Sequence, residues 1–182
     1  MQVIEHQELA SSQTSIVFNS IPQTFTDLFV LFSLRNDRST DGASSYAGIT
    51  INGNYTNLSQ RLLQGNGSAT ASFSYTSGTY PLWVYIPGSG YTASTFQNGS
   101  IYIPNYAGST VKSISVDSVT ENNATTAFQT IHNGLYNSST AITSLGFISL
   151  NSDLAAAGNL VQFSSATLYG ITKGSSNGVT VS

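Results

Sequence analysis

The sequence predicts an all-β fold, an antiparallel two-sheet β-sandwich, on three observations. Short runs of β-branched and aromatic residues recur at nearly regular spacing, clusters of Gly, Asn, Ser and Asp separate them, and sustained helical periodicity is missing. In chain order the runs are Ser15 to Phe18, Asp27 to Arg35, Ala47 to Asn52, Thr70 to Tyr75, Leu82 to Ile86, Ser100 to Ile103, Lys112 to Val119, Thr125 to Tyr136, Ala141 to Leu150, Leu160 to Ser164 and Thr167 to Ile171. That number of strands is enough for two packed sheets.

Lys112 to Val119 carries the clearest alternation. Ile114, Val116 and Ser118 interleave with Ser113, Ser115 and Asp117, giving one face for the core and one for water. Asp27 to Arg35 departs from this pattern, because Phe29 and Leu31 make its second face apolar beside Leu28, Val30, Phe32 and Leu34. Such a strand is expected to be covered on both sides, the second cover being another subunit or a lattice neighbour. In Tyr80-Pro-Leu-Trp-Val-Tyr-Ile, alternation sends Leu82, Val84 and Ile86 to one face and Trp83 with Tyr85 to the other. One helical turn is expected over Asn57 to Leu63, where Leu58, Leu62 and Leu63 share a face before Gly65. Asn133-Gly134 is a favoured hairpin pair, which places a turn just after His132. The hydrophobic pattern runs unbroken from Ile16 to Ile171. It implies a single domain over 15–173, an N-terminal arm over 1–14, and a flexible tail over 174–182 that opens with Gly-Ser-Ser-Asn-Gly.

Charge excludes several classes of partner. The 182 residues include 5 Lys+Arg and 8 Asp+Glu, a net charge of -3, with only 7% charged residues. Ser, Thr and Asn, about a third of the chain, must therefore supply a surface that in most proteins is charged. Arg35, Arg38, Arg61, Lys112 and Lys173 are too few and too scattered to neutralise a phosphate track or hold an anionic membrane, so neither nucleic acid nor membrane is an expected partner. The longest apolar run, Leu28 to Phe32, is far too short to span a bilayer, and the acidic first residues do not read as a secretory leader. With no Cys, the fold is held by packing and hydrogen bonds.

Candidate chemistry is sparse. The histidines are His6, in the expected arm, and His132, at the expected turn; neither pattern calls for catalysis. The single Gly-x-Ser-x-Gly match, Gly174 to Gly178, falls in the expected flexible tail and not at the strand-to-helix turn that a nucleophile elbow needs. Asp37 and Asp41, in Asn36-Asp-Arg-Ser-Thr-Asp-Gly, are weak candidates for Ca²⁺, against an ordinary loop in which Arg35 and Arg38 neutralise them. Asp117 and Glu121 could serve as a glycosidase pair only if folding set the right separation. No cofactor is implied. Asn-x-Ser/Thr at Asn54, Asn57, Asn66, Asn98, Asn123 and Asn137 reads as turn chemistry in so Asn-rich a chain.

The aromatic residues, 10 Tyr, 9 Phe and one Trp, say more. Trp83 and Tyr85, which Tyr91, Tyr102 and Tyr106 could extend, and the second-face residues Phe29 and Leu31 suit a subunit interface, a second core layer or a sugar-stacking platform.

Several segments together resemble the small β-sandwich structural proteins of tailed-bacteriophage virions. They are Ser15-Ile-Val-Phe-Asn-Ser-Ile-Pro-Gln-Thr-Phe-Thr-Asp-Leu, the following strand ending Ser33-Leu-Arg, Ile51-Asn-Gly-Asn-Tyr-Thr-Asn, Ile103-Pro-Asn-Tyr with Lys112-Ser, Ala141-Ile-Thr-Ser, and Ala166-Thr-Leu-Tyr-Gly-Ile. In order they span nearly the whole chain. The family's Phe-x-x-Gly-Ser closing pattern is replaced here by Phe163-Ser-Ser-Ala-Thr. The resemblance implies a jelly-roll-like sandwich and a non-enzymatic role on the outer surface of the phage particle. With no shaft or heptads, a capsid decoration or cement protein is expected, bound to the major capsid protein or other virion proteins as a homo-oligomer, a trimer or dimer. The alternative is a tail or fibre-tip module in which Trp83 and Tyr85 stack on host surface polysaccharide. A third reading, an enzyme depolymerising such sugars, would draw on Asp37, Asp41, Asp117 and Glu121.

Overall fold

The structure is a computed structural model that describes residues 1–39, 45–55, 57–121 and 127–173. All its regular elements are strands: β1 (Gln2–Glu8), β2 (Ser15–Phe18), β3 (Asp27–Leu34), β4 (Tyr46–Ile51), β5 (Leu58–Gly65), β6 (Thr70–Tyr80), β7 (Leu82–Tyr85), β8 (Gln97–Pro104), β9 (Lys112–Glu121), β10 (Ala127–Tyr136), β11 (Leu145–Leu150) and β12 (Ser165–Ile171). They form two antiparallel sheets. The larger has eight strands in the order β1-β12-β3-β8-β9-β10-β5-β6, and the smaller four, β2-β11-β4-β7. The chain passes back and forth between the sheets in a jelly-roll-like path, with the β9–β10 pair inserted between β8 and β5; β2 packs across on β12, and β7 on β9, β10 and β5.

The main core lies between the sheets. Inward residues of β3 (Leu28, Val30, Phe32, Leu34) meet Ala47, Ile49 and Ile51 of β4 and Leu145 and Phe147 of β11, all buried. The rings of Phe32 and Phe147 pack across the gap with centroids 4.8 Å apart. Gly99 stands directly opposite Phe32 in the ladder and gives its ring room.

A second apolar cluster lies on the other side of β7. Leu82 and Val84 point into the main core, while Trp83 and Tyr85 join Leu62, Phe128 and Leu150. Tyr85 stacks on Phe128 at 4.6 Å and Trp83 meets His132 edge-on at 5.6 Å. Leu62, Phe128 and His132 belong to β5 and β10, so the large sheet bends round β7 and covers it on both faces. The alternation expected for Leu82 to Ile86 holds. Of the alternatives for Trp83 and Tyr85, the second core layer is the one the structure contains; both are buried, and Tyr91 with them. They are not a surface platform.

Several other expectations are corrected. The helical turn over Asn57 to Leu63 is strand β5: Leu58, Gln60 and Leu62 alternate inward, and eight consecutive pairs with β10 override the local leucine spacing. Asn133-Gly134 is no turn but mid-strand in β10, paired with Ser115 and Ile114 on one side and Arg61 and Gln60 on the other. Gly134 is needed there because a Cβ would sit 2.9 Å from a methyl of the buried Leu82. The β9–β10 connection itself falls in 122–126, outside the described residues. Leu160 to Ser164 forms no strand. Leu160 makes isolated bridges to Gln13 and Asn36, and Phe163, at φ 71°, leaves the extended conformation. Within the expected arm over 1–14, Gln2–Glu8 is strand β1, laid along β12, which would otherwise be an open edge. The expected tail over 174–182 lies outside the described residues.

Replacing Gly99 with Ala tests the inter-sheet packing. The new Cβ would fall 2.7 Å from Phe32 Cζ and against the Asp117 carbonyl oxygen. Urea unfolding is expected to show a loss of about 1–3 kcal/mol, the usual range for overpacking; an unchanged midpoint would refute this account of the Phe32 pocket.

Candidate functional site

The face of the large sheet turned away from the core carries apolar side chains with no cover among the described residues. In the ladders, Leu31 of β3, Ser100 of β8, Asp117 of β9, Ile131 of β10, Leu63 of β5 and Ser72 of β6 stand in one row. A parallel row holds Tyr169, Phe29, Tyr102, Ser115, Asn133 and Arg61. Leu63 is 60% exposed, Ile131 53%, Leu31 44% and Val119 43%. Exposed apolar residues are ordinary one at a time; here Ile131 and Leu63 are direct cross-strand neighbours. Between them and Tyr102 lies a shallow depression of about 580 Å³ bordered by Arg61, Ser72 and Asn133.

Tyr102 is fixed in place. Its hydroxyl donates to Asp27 Oδ2 at 2.8 Å, while Asp27 Oδ1 accepts the Asn105 N–H at 3.0 Å and pairs with Lys173 Nζ at 3.4 Å. Burial raises the Asp27 pKa, but these two hydrogen bonds and the Lys173 charge outweigh it and hold the carboxyl below its ordinary value.

Of Phe29, Leu31, Trp83, Tyr85 and Tyr91, only Phe29 and Leu31 lie on this face. Phe29 is half-buried against Tyr169 and Leu31 is exposed. The second apolar face of β3 is therefore real, and at Leu31 it is uncovered among the described residues. Of the tyrosines expected to extend the aromatic patch, Tyr106 is buried and Tyr102 lies on this face, apart from Trp83 and Tyr85; Arg61, Asn133, Leu63 and Ile131 were not expected on a binding face. Phe128 and Tyr136 could have signalled Ile131, since the face they bury leaves it on the opposite one.

Asp37 does not gather a cation site. Its two oxygens accept the backbone N–H and the Nδ2 of Asn159, both at 2.9 Å. Asp41 lies outside the described residues, and among those described no group of three potential metal ligands occurs. Asp117 and Glu121 share the outer face of β9 but sit four residues apart, about 13 Å along a strand, beyond the separation used by paired glycosidase carboxylates. His6 is exposed and within 2.8 Å of the Thr167 hydroxyl. His132 is buried, its Nδ1 3.1 Å from Gln60 Oε1, and Gln60 Nε2 donates to the Pro81 carbonyl at 2.9 Å. That chain of contacts ties β10 through β5 to the start of β7.

No family model matches this chain, and neither a curated protein nor a solved structure does.

Burial lowers the His132 pKa from 6.5 to about 4. The unfolded chain therefore takes up a proton below about pH 6.5 that the folded chain refuses until about pH 4. This contribution to stability is complete above pH 6.5 and is lost as pH falls through that window, by up to about 3 kcal/mol. The test is NMR titration of the His132 ring alongside urea unfolding at pH 7 and pH 4.5. A ring that titrates near 6.5 would refute the burial argument.

Proposed function

We propose that this chain is a non-enzymatic structural protein of a bacteriophage particle, seated on the outer surface of the head as a decoration or cement protein. The observation that carries the reading is the set of exposed apolar side chains on the outer face of the large sheet, Leu31 and the cross-strand pair Ile131 and Leu63, which nothing covers among the described residues of a chain with few charges. The ordered sequence segments that resemble virion sandwich proteins, together with the jelly-roll-like connections, support the same class, although fold alone assigns no function. Contact with the major capsid protein or another virion protein would remove these side chains from water, at roughly 25 cal/mol per Å² of apolar surface. With little charge for steering, binding is expected to be only weakly salt-dependent.

The decisive experiment uses heads with and without the protein. Decorated heads are expected to burst at a higher temperature than stripped ones, and Leu63→Asp with Ile131→Lys, which alternates charge across the Asp117 row, is expected to lower occupancy at least tenfold while the free protein unfolds at an unchanged temperature. Equal robustness of stripped and decorated heads would overturn the cement role. Full occupancy by the double variant would overturn the assignment of the face.

One observation favours a second reading, a tail or fibre-tip module that binds host polysaccharide. The ring of Tyr102, held by Asp27, shares a depression with the polar groups of Arg61 and Asn133, a pairing of flat apolar surface and hydrogen-bond donors that suits a sugar. Trp83, buried, is not part of it. On this reading Tyr102→Ala abolishes adsorption to host cells and leaves particle assembly intact; normal adsorption would exclude it.

A further inference from the structure

A two-layer β fold has four sheet edges, and each exposes main-chain groups that another strand could pair with unless something prevents it. Three of the four are guarded here. β1, at one end of the large sheet, carries Glu5, His6 and Glu8 and has a bulge between Val3 and Glu5. β2 is only four residues long, and the Val17 carbonyl is taken by Gln7 Nε2 at 2.8 Å. β7 is buried along its whole length; the Tyr85 carbonyl accepts from the Thr120 hydroxyl at 2.7 Å, and the Pro81 carbonyl just before it accepts from Gln60.

Among the described residues, β6 has no such guard over Thr70 to Tyr75; its one ladder irregularity falls beyond that stretch, between the Gln60–Tyr75 and Leu58–Tyr80 pairs. It is an end strand of the eight-stranded sheet, paired only with β5 among the described residues. Its sequence, Thr-Ala-Ser-Phe-Ser-Tyr-Thr-Ser-Gly-Thr-Tyr, contains no charged residue and no proline. Thr70 to Tyr75 pair regularly with Gly65 to Gln60, so the free side of that stretch is straight enough to accept a further strand. Phe73 stands opposite the buried Leu62 on the inward side of the sheet, yet is 38% exposed. β6 thus overhangs the small sheet and leaves an aromatic ring half-covered at the rim.

We propose that β6 is a dimerisation edge that pairs antiparallel with β6 of a second copy. An antiparallel pairing of identical strands is a two-fold arrangement, in which residues near the axis face their own counterparts. A charged strand would set like charges against each other there; this one brings together only hydroxyls, Ala71, Phe73 and Tyr75. The same lack of charge gives a foreign partner nothing to be steered by. The two large sheets become continuous, and each Phe73 gains cover from the neighbouring strand. Because the other three edges are guarded, pairing closes at two copies and does not grow into a filament. The dimer does not depend on the virion reading, and its test needs no particle.

The chain has no Cys, so one introduced cysteine is a unique probe. Single variants Ala71→Cys, Ser72→Cys, Phe73→Cys, Ser74→Cys and Tyr75→Cys scan the edge, with Ser115→Cys on the outer face as control. A disulfide needs Cα atoms about 4.4–6.8 Å apart, which an antiparallel pair provides only near its axis. Light scattering is expected to give the mass of two chains at micromolar concentration. Mild oxidation is expected to link at least one edge variant almost completely and the Ser115 control not at all, and Ser72→Lys with Ser74→Lys is expected to yield a folded monomer whose unfolding temperature is lower than that of the wild type and, unlike it, independent of protein concentration. A wild-type monomer, a dimer that survives the two lysines, or cross-linking no better at the edge than at Ser115 would overturn the proposal.

Discussion

Burial of β7 on both faces is the constraint from which the rest of the architecture follows. A four-residue strand whose only polar side-chain groups are the Trp83 indole N–H and the Tyr85 hydroxyl has no face to give to water. Leu82 and Val84 complete the sandwich core, and Trp83 with Tyr85 requires a second cover. The large sheet supplies it by bending round, bringing Phe128, His132 and Leu62 against the two rings. The alternation of β10 and β5 then dictates the outer surface. With Phe128, Thr130 and His132 inside, Ile131 must point out, and with Leu62 inside, so must Leu63. The uncovered apolar row is in this sense a by-product of closing the second core.

Polar groups within these layers act as fasteners between specific strands. The Ser118 and Thr130 hydroxyls lie 2.7 Å apart across β9 and β10, and the Tyr85 hydroxyl donates to Gln64 Oε1 at 2.8 Å. Burial beside Tyr46 and Tyr75 pushes the Tyr85 phenol up, so it remains a donor at any ordinary pH. Two of the five basic residues are used internally as well. The Arg35 guanidinium donates to the carbonyls of Tyr91, Thr92 and Thr95, pinning the segment between β7 and β8, and Lys112 Nζ reaches the carbonyls of Ser138 and Thr140. Such buried hydrogen bonds specify one register in a sheet built largely from Ser, Thr and small apolar residues.

Most strands were legible in the sequence because the two-residue period is strong wherever one face meets the core, as in Lys112 to Val119. β5 was not, since three leucines over six positions fit a helical turn as readily as a strand; only the ladder with β10 decides between them. Asn133-Gly134 misled for a related reason. The pair has the chemistry of a tight turn, but Gly134 is required by the Leu82 side chain, a contact distant in sequence. The interaction surface was half legible. Phe29 and Leu31 announced an apolar second face on β3, whereas Trp83 and Tyr85 looked outward until the bend of the large sheet, which no local pattern encodes, enclosed them.

The internal use of Lys112 has a practical corollary for labelling. Its ammonium group is held among carbonyls with 1% of the residue accessible, whereas the Lys173 side chain is 64% accessible. Those two are the chain's whole complement of lysines. An amine-directed dye applied to the folded protein will therefore attach at Lys173 and the α-amino group, so a fluorophore can be placed beside Asp27 without altering the sequence.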